Sequence, residues 1–108
     1  MNARAALQEA EQGRGLIYIP SIVVAELYYL NVKYGRPLNF TEEYRKLATT
    51  AHIRFVDFRA EDVLQFDALA AIPEMHDRIV AGVALRLGLP CLTRDPALVN
   101  SGLIQTVW

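Results

Sequence analysis

The apolar positions of the chain fall into short runs whose period changes several times, and each change marks an element. Ala5, Ala6, Leu7 and Ala10 are good helix formers, with Asn2 placed to cap them and Gly13 to stop them, so a short helix is expected over residues 3 to 12. "LIYI", residues 16 to 19, is continuously apolar between Gly15 and Pro20, the pattern of a strand buried on both faces. Ser21 then stands where an N-cap belongs, and Val23, Leu27, Leu30 and Tyr34 recur at helical intervals until Gly35 and Pro37. Asn39 or Thr41 opens another helix through "EEYRKLA", and "IRFVDF", residues 53 to 58, reads as a strand. "AEDVLQFDALAAI", residues 60 to 72, reads as an amphipathic helix that turns Val63, Phe66, Leu69 and Ala70 inward and ends at Pro73. A helix from about residue 78 to 87 has few polar faces, which places it between a sheet and another element. "PCLT" and "IQTVW" complete the set as strands.

Helices and strands that alternate over short connections predict an α/β fold with a mostly parallel sheet and right-handed crossovers, built as one domain over residues 1–108. A hydrophobic share of 53% against 21% charged residues excludes a disordered chain. The longest apolar region, residues 16 to 30, is broken by Pro20, Ser21 and Glu26 and is no membrane span. The opening "MNARAALQEAEQG" carries acids and no continuous apolar core, unlike a signal peptide, so a cytoplasmic protein is expected. Cys91 is alone, which removes any internal disulfide or cysteine-built zinc site and leaves a buried packing thiol as the expectation. A formal charge of −1 gives no global pull on nucleic acid, so a phosphate-bearing substrate needs a local patch or a metal ion.

The chemistry concentrates in three acids. A helix of about 10 residues rises about 15 Å, and a strand of four or five residues returns about 13 to 17 Å. Asp77 at the start of the helix and Asp95 just past the strand are therefore expected at one edge of the sheet. Glu26 lies one to two turns down the helix that follows strand 16 to 19, so it is expected at the same edge, where open parallel sheets bind ligands. Each acid has an ordinary explanation too. Asp95 precedes Pro96 and suits an N-cap, and Asp77 in a first turn is favoured by the helix dipole. Glu26 has no basic neighbour three or four residues away, and a metal ion would relieve both its burial and the repulsion among three carboxylates.

Other candidates carry less. His76 beside Asp77 reads as an exposed helix-entry residue and His52 as a loop residue, while Tyr28, Tyr29 and Tyr34 read as core with a share in a partner surface. Thr93 is placed to bond a metal ligand or a phosphate oxygen, although a strand threonine needs no such role, and Arg94 beside the acidic rim is the preferred phosphate contact.

"IPSIVVAELYYL", "HDRIVAGVALRLGLPCLTRDPAL" and the ending "SGLIQTVW" together resemble a PIN domain of the VapC toxin type over nearly the whole chain. Members of that family have a strand and helix leading to a Glu, an Asp opening a helix of the form D-x-x-(I/V)-A-x-x-A-L-x-L-G, and a strand ending in T-x-D. Glu26, Asp77 and Asp95 stand at those positions. The resemblance implies a three-layer PIN-like fold and a metal-dependent endoribonuclease, with Mg²⁺ or Mn²⁺ held by Glu26, Asp77 and Asp95 to activate a water and neutralise the scissile phosphate. It implies RNA as substrate, a cognate antitoxin protein as partner and a homodimer, while Thr93 and Arg94 remain the candidate substrate contacts and no membrane is expected.

One part of the family pattern is missing. PIN domains begin with a hydrophobic strand that lies mid-sheet and ends in the first catalytic Asp, whereas here no aspartate precedes Asp57. Four or five buried strand residues at about 1.5 to 3 kcal/mol each compare with a whole domain's stability of about 5 to 15 kcal/mol. An N-terminally truncated PIN-like domain, inactive as it stands, is one expectation; a natural variant whose sheet is gapped or completed by another chain is the other. The competing function is a non-catalytic module that binds antitoxin or RNA. A phosphorylatable receiver-like switch would want a late lysine near an early acidic pair, but the lysines are Lys33 and Lys46.

Overall fold

The computed structural model describes all 108 residues. Helix α1 (Ala3–Glu11) leads through Gly13 into strand β1 (Ile17–Pro20), helix α2 (Ser21–Lys33), helix α3 (Phe40–Thr49) and strand β2 (Ile53–Val56). A 3₁₀ turn (Ala60–Gln65) follows, then helix α4 (Met75–Leu87), strand β3 (Cys91–Leu92), the single-turn helix α5 (Pro96–Val99) and strand β4 (Thr106–Val107). The Asn2 side chain caps α1 by accepting from the Ala5 amide at 2.9 Å, and Asn39 caps α3 by accepting from that of Glu42 at 3.2 Å. Gly88 ends α4 at φ 65°, a left-handed conformation that suits glycine.

All strand pairing is parallel, the α/β class expected, but it is divided between two sheets. β1 pairs with β2, Ile17 opposite Ile53, and β3 pairs with β4, Cys91 opposite Thr106. No ladder joins β1 to β3; a cleft of about 500 Å³ lies between them. The radius of gyration, 14.4 Å, exceeds the roughly 13 Å of a close-packed chain this long, as an open cleft requires.

The cleft explains the first departure from the periodic pattern. The stretch 16 to 19 is not buried on both faces: Leu16 and Tyr18 are exposed, and Ile17 and Ile19 half-buried, because β1 has a strand on one edge only. The core sits elsewhere, in a cluster of Leu69, Ile72, Ala81 and Leu98 with Ile104 packed against it. Helix α4 supplies Ala81 to that cluster and buries Ile79, Gly82 and Val83 as well, as its few polar faces led one to expect.

Residues 60 to 72 do not form the expected helix. Asp62 turns back to accept from the Arg59 amide at 3.0 Å and takes Arg86 Nε at 2.8 Å, and the following turns close between residues three apart, as Phe66 to Val63 and Ile72 to Leu69. Three-residue spacing rotates the faces, so Leu69 is buried while Val63 and Ala70 are exposed and Phe66 half-buried. Ser21 is the first residue of α2 instead of its cap; Pro20 holds the cap position, and the Ser21 hydroxyl accepts from the Phe58 amide at 3.4 Å. Cys91 is half-buried at the cleft, where burial pushes its thiol up. Tyr29 and Tyr34, each 70% exposed, are not core residues, and Tyr28 is also exposed.

Candidate active site

Three short elements deliver the three acids. Glu26 lies in the second turn of α2, Asp77 is the third residue of α4, and Asp95 follows β3 at the entrance to α5. Asp77 gets there because Glu74 caps α4: the Glu74 carboxylate accepts from the Asp77 amide at 2.9 Å, which fixes the first turn. Asp95 is held twice, its Oδ1 accepting from the Ala97 amide at 2.9 Å and its own amide donating to Thr93 Oγ1 at 3.0 Å. That is the cap geometry which Pro96 announces, and it occupies one of the two carboxylate oxygens.

Their electrostatics tie the acids together. Burial of the carboxyl pushes Glu26 up although the residue as a whole is exposed; His76 pulls it down, and Asp77 and Glu74 add to the rise. Burial likewise raises Asp77, followed by the charges of Asp95 and Glu74, with His76 opposing. Asp77 therefore stands between Glu26 and Asp95 in a chain of mutually repelling carboxylates, two of which hold their protons more tightly than free ones do. The charge of Asp77 reaches Glu26 and that of Asp95 reaches Asp77, the pairwise coupling that links the three acids singled out by the sequence.

Glu74 escaped the reading of the sequence. Besides capping α4 it pairs with His76 Nδ1 at 3.4 Å, so His76 is part of the acidic rim instead of a bystander. The available signal was its position just after Pro73 and three residues before Asp77, the spacing of a helix cap. Thr93 spends its hydroxyl on the Asp95 turn, and Arg94 lays its guanidinium over the Trp108 ring, 5.3 Å from the centroid. Stacking holds that planar cation beside the acids without joining it to one.

The donor set suits a hard divalent cation in kind, since all of its members are carboxylate oxygens and His76 offsets only part of their repulsion. It is not a finished cage, because no three of the chain's His, Cys, Asp and Glu side chains stand close enough to hold one ion jointly. A pair of carboxylates is the usual protein share of a magnesium site, with water and phosphate supplying the rest.

The PIN domain family profile matches residues 1–100. The chain belongs to the PIN domain family. PIN domains are in general nucleases, so the coarse class of this one is a nuclease-type protein whose substrate is RNA or another nucleic acid. No curated protein and no solved structure matches the chain. No helix of this PIN domain is long and apolar enough to cross a membrane.

Proposed function

We propose that this PIN domain is a metal-dependent endoribonuclease of the VapC type, the toxin of a toxin–antitoxin pair, acting in the cytoplasm on RNA phosphodiester bonds. The observation that carries the reading is that the carboxylates Glu26, Asp77 and Asp95, drawn from three elements, are linked in sequence, the charge of Asp77 raising Glu26 and that of Asp95 raising Asp77. Asp77 and Asp95 are the pair assigned to hold Mg²⁺ or Mn²⁺, with Glu26 completing the site. When bound, such an ion supplies Lewis-acid neutralisation of the phosphate and a more acidic water. Glu26, whose burial makes it a stronger base than a free carboxylate, is assigned to orient and deprotonate the attacking water. Arg94, held flat on Trp108, is assigned to grip a phosphate oxygen, and Thr93 to position Asp95 through its turn. The exposed Tyr29 and Tyr34 support a protein partner, antitoxin or second subunit, because large aromatics left in solvent are typical of partner surfaces.

A titration with Mn²⁺, followed by calorimetry and paired with a ribonuclease assay, tests the proposal. The ion should bind, binding should fall sharply in Asp77→Asn, and RNA cleavage should require the ion. The absence of a ready three-acid cage favours the second reading, a non-catalytic module. Neither ion binding nor cleavage by the intact chain, nor by one given an upstream apolar strand, would establish that module in place of the enzyme.

A further inference from the structure

Two planar side chains stand beside the acids, and the ribonuclease reading uses only one of them. The Arg94 guanidinium lies over the Trp108 ring, 5.3 Å from its centroid, while Trp108 itself is 61% exposed. An indole left in water forgoes the burial that its large apolar body would otherwise contribute to the fold. Its main chain is nonetheless held on both sides: the Thr93 amide donates to the Val107 carbonyl at 3.0 Å, and the Ala3 amide donates to the Trp108 carbonyl at 3.1 Å. The ring is therefore presented to solvent from a fixed backbone, as a preorganised contact requires.

Strand register puts that ring at the acidic rim. Cys91 stands opposite Thr106 and Leu92 opposite Val107 in a parallel ladder, so the next step sets Trp108 level with Thr93 at the carboxyl ends of β3 and β4. Neighbouring strands lie about 4.8 Å apart, and Thr93 in turn holds the Asp95 amide at 3.0 Å. The charge of Asp95 reaches Asp77. Ring, guanidinium and carboxylates thus share one edge, and their chemistry selects a ligand. An apolar side chain of a protein would answer the ring but bring no anion to Arg94, and a free phosphate would answer Arg94 but not the ring. A nucleotide carries both a flat base and a phosphate. Bases inside a duplex already stack on one another, so the base that meets Trp108 is an unpaired one.

We propose that Trp108 is the stacking platform for one unpaired nucleobase of a single-stranded substrate, with Arg94 taking the adjoining phosphate and so setting the phosphodiester chain against Asp95 and Asp77. The choice of nucleic acid as ligand rests on the ribonuclease reading. The role of the ring depends on neither metal nor cleavage, and its test uses neither.

Trp108 is the single tryptophan of the sequence, so its emission reports the contact directly. The probes are a labelled oligoadenylate RNA of about eight nucleotides, within the span that single-strand sites cover, and an abasic chain of equal length, each added to the intact protein in EDTA. Oligoadenylate should quench the emission to saturation, whereas the abasic chain should leave it unchanged and bind about tenfold or more weakly by anisotropy. Trp108→Ala should weaken oligoadenylate binding about tenfold or more, and Trp108→Phe should restore most of it, with the far-UV circular dichroism of both unchanged. Equal binding of the two probes, or full affinity in Trp108→Ala, overturns the proposal. So does emission that shifts with protein concentration but not with oligonucleotide, which would assign the ring to a contact between copies of the chain. Absence of quenching alongside intact Mn²⁺ binding removes this site and keeps the ribonuclease reading; saturable quenching without ion binding does the reverse.

Discussion

Replacing Arg86 by Leu should be among the most damaging single changes in this protein, and its cost follows from one buried contact. Asp62 is 2% exposed and accepts from Arg86 Nε at 2.8 Å and from the Arg59 amide at 3.0 Å. A second Arg86 nitrogen donates to the Asp57 carbonyl at 2.8 Å, tying the end of β2 to α4. Without the guanidinium, Asp62 keeps one amide partner in a site shut off from water. Breaking a buried pair in this way costs about 3 to 5 kcal/mol, a large part of the roughly 5 to 15 kcal/mol available. At about 4 °C per kcal/mol the thermal midpoint falls by about 12 to 20 °C. Thermal and urea unfolding by far-UV circular dichroism measure the loss, and its pH dependence identifies the cause. Burial pushes the Asp62 carboxyl up, but the Arg59 amide and Arg86 outweigh it and hold the group below its ordinary value. Its contribution is therefore present above the unfolded carboxyl's range and is lost as pH falls through the lowered folded value. In Arg86→Leu burial dominates, and that slope reverses. Removing both charges, in Asp62→Leu with Arg86→Leu, should recover much of the loss, since no unpaired charge remains. A cost below about 1 kcal/mol with the wild-type pH slope would mark the pair as an ordinary surface contact and refute the reasoning.

Asp77→Asn should raise the thermal midpoint at neutral pH in EDTA, because burial and the charges of Asp95 and Glu74 all disfavour its ionised form. A raised folded pKa contributes stability below the unfolded value that is lost as pH rises through the folded one, so the variant should flatten the decline seen in melts taken across that window. Asp95→Ala removes the cap on the Ala97 amide and should cost about 1 kcal/mol in urea unfolding, whereas Asp95→Asn keeps the cap and should cost far less while losing Mn²⁺ binding. Asn31→Ala should cost about 1 to 3 kcal/mol by the same measurement, since the buried Asn31 side chain donates to the Leu38 carbonyl at 3.0 Å and accepts from its amide at 3.1 Å.

Much of the local structure was legible before any coordinates. The cap at Asn2, Asn39 as one of two candidate caps, and the strands at β1 to β4 follow from side-chain hydrogen bonding and short apolar runs, both of which act within a few residues. The coupling of Asp77 to Glu26 and of Asp95 to Asp77 agrees with the same reasoning, in which a helix and a strand of matched length return the chain to its starting edge. What failed depended on distant partners. The helical period of residues 60 to 72 was real, but Asp62 is claimed by Arg86, 24 residues away, and a six-residue 3₁₀ turn replaces the helix.

Sequence by itself thus determined the α/β class and the element types outside residues 60 to 72, since those depend on periodicity and chain reach. Tertiary structure alone decided that the core lies under α4 instead of around β1 and that Glu74 and His76 join the acidic rim. The physical reason is that an apolar run states how much it stands to gain by burial, but not which surface will cover it.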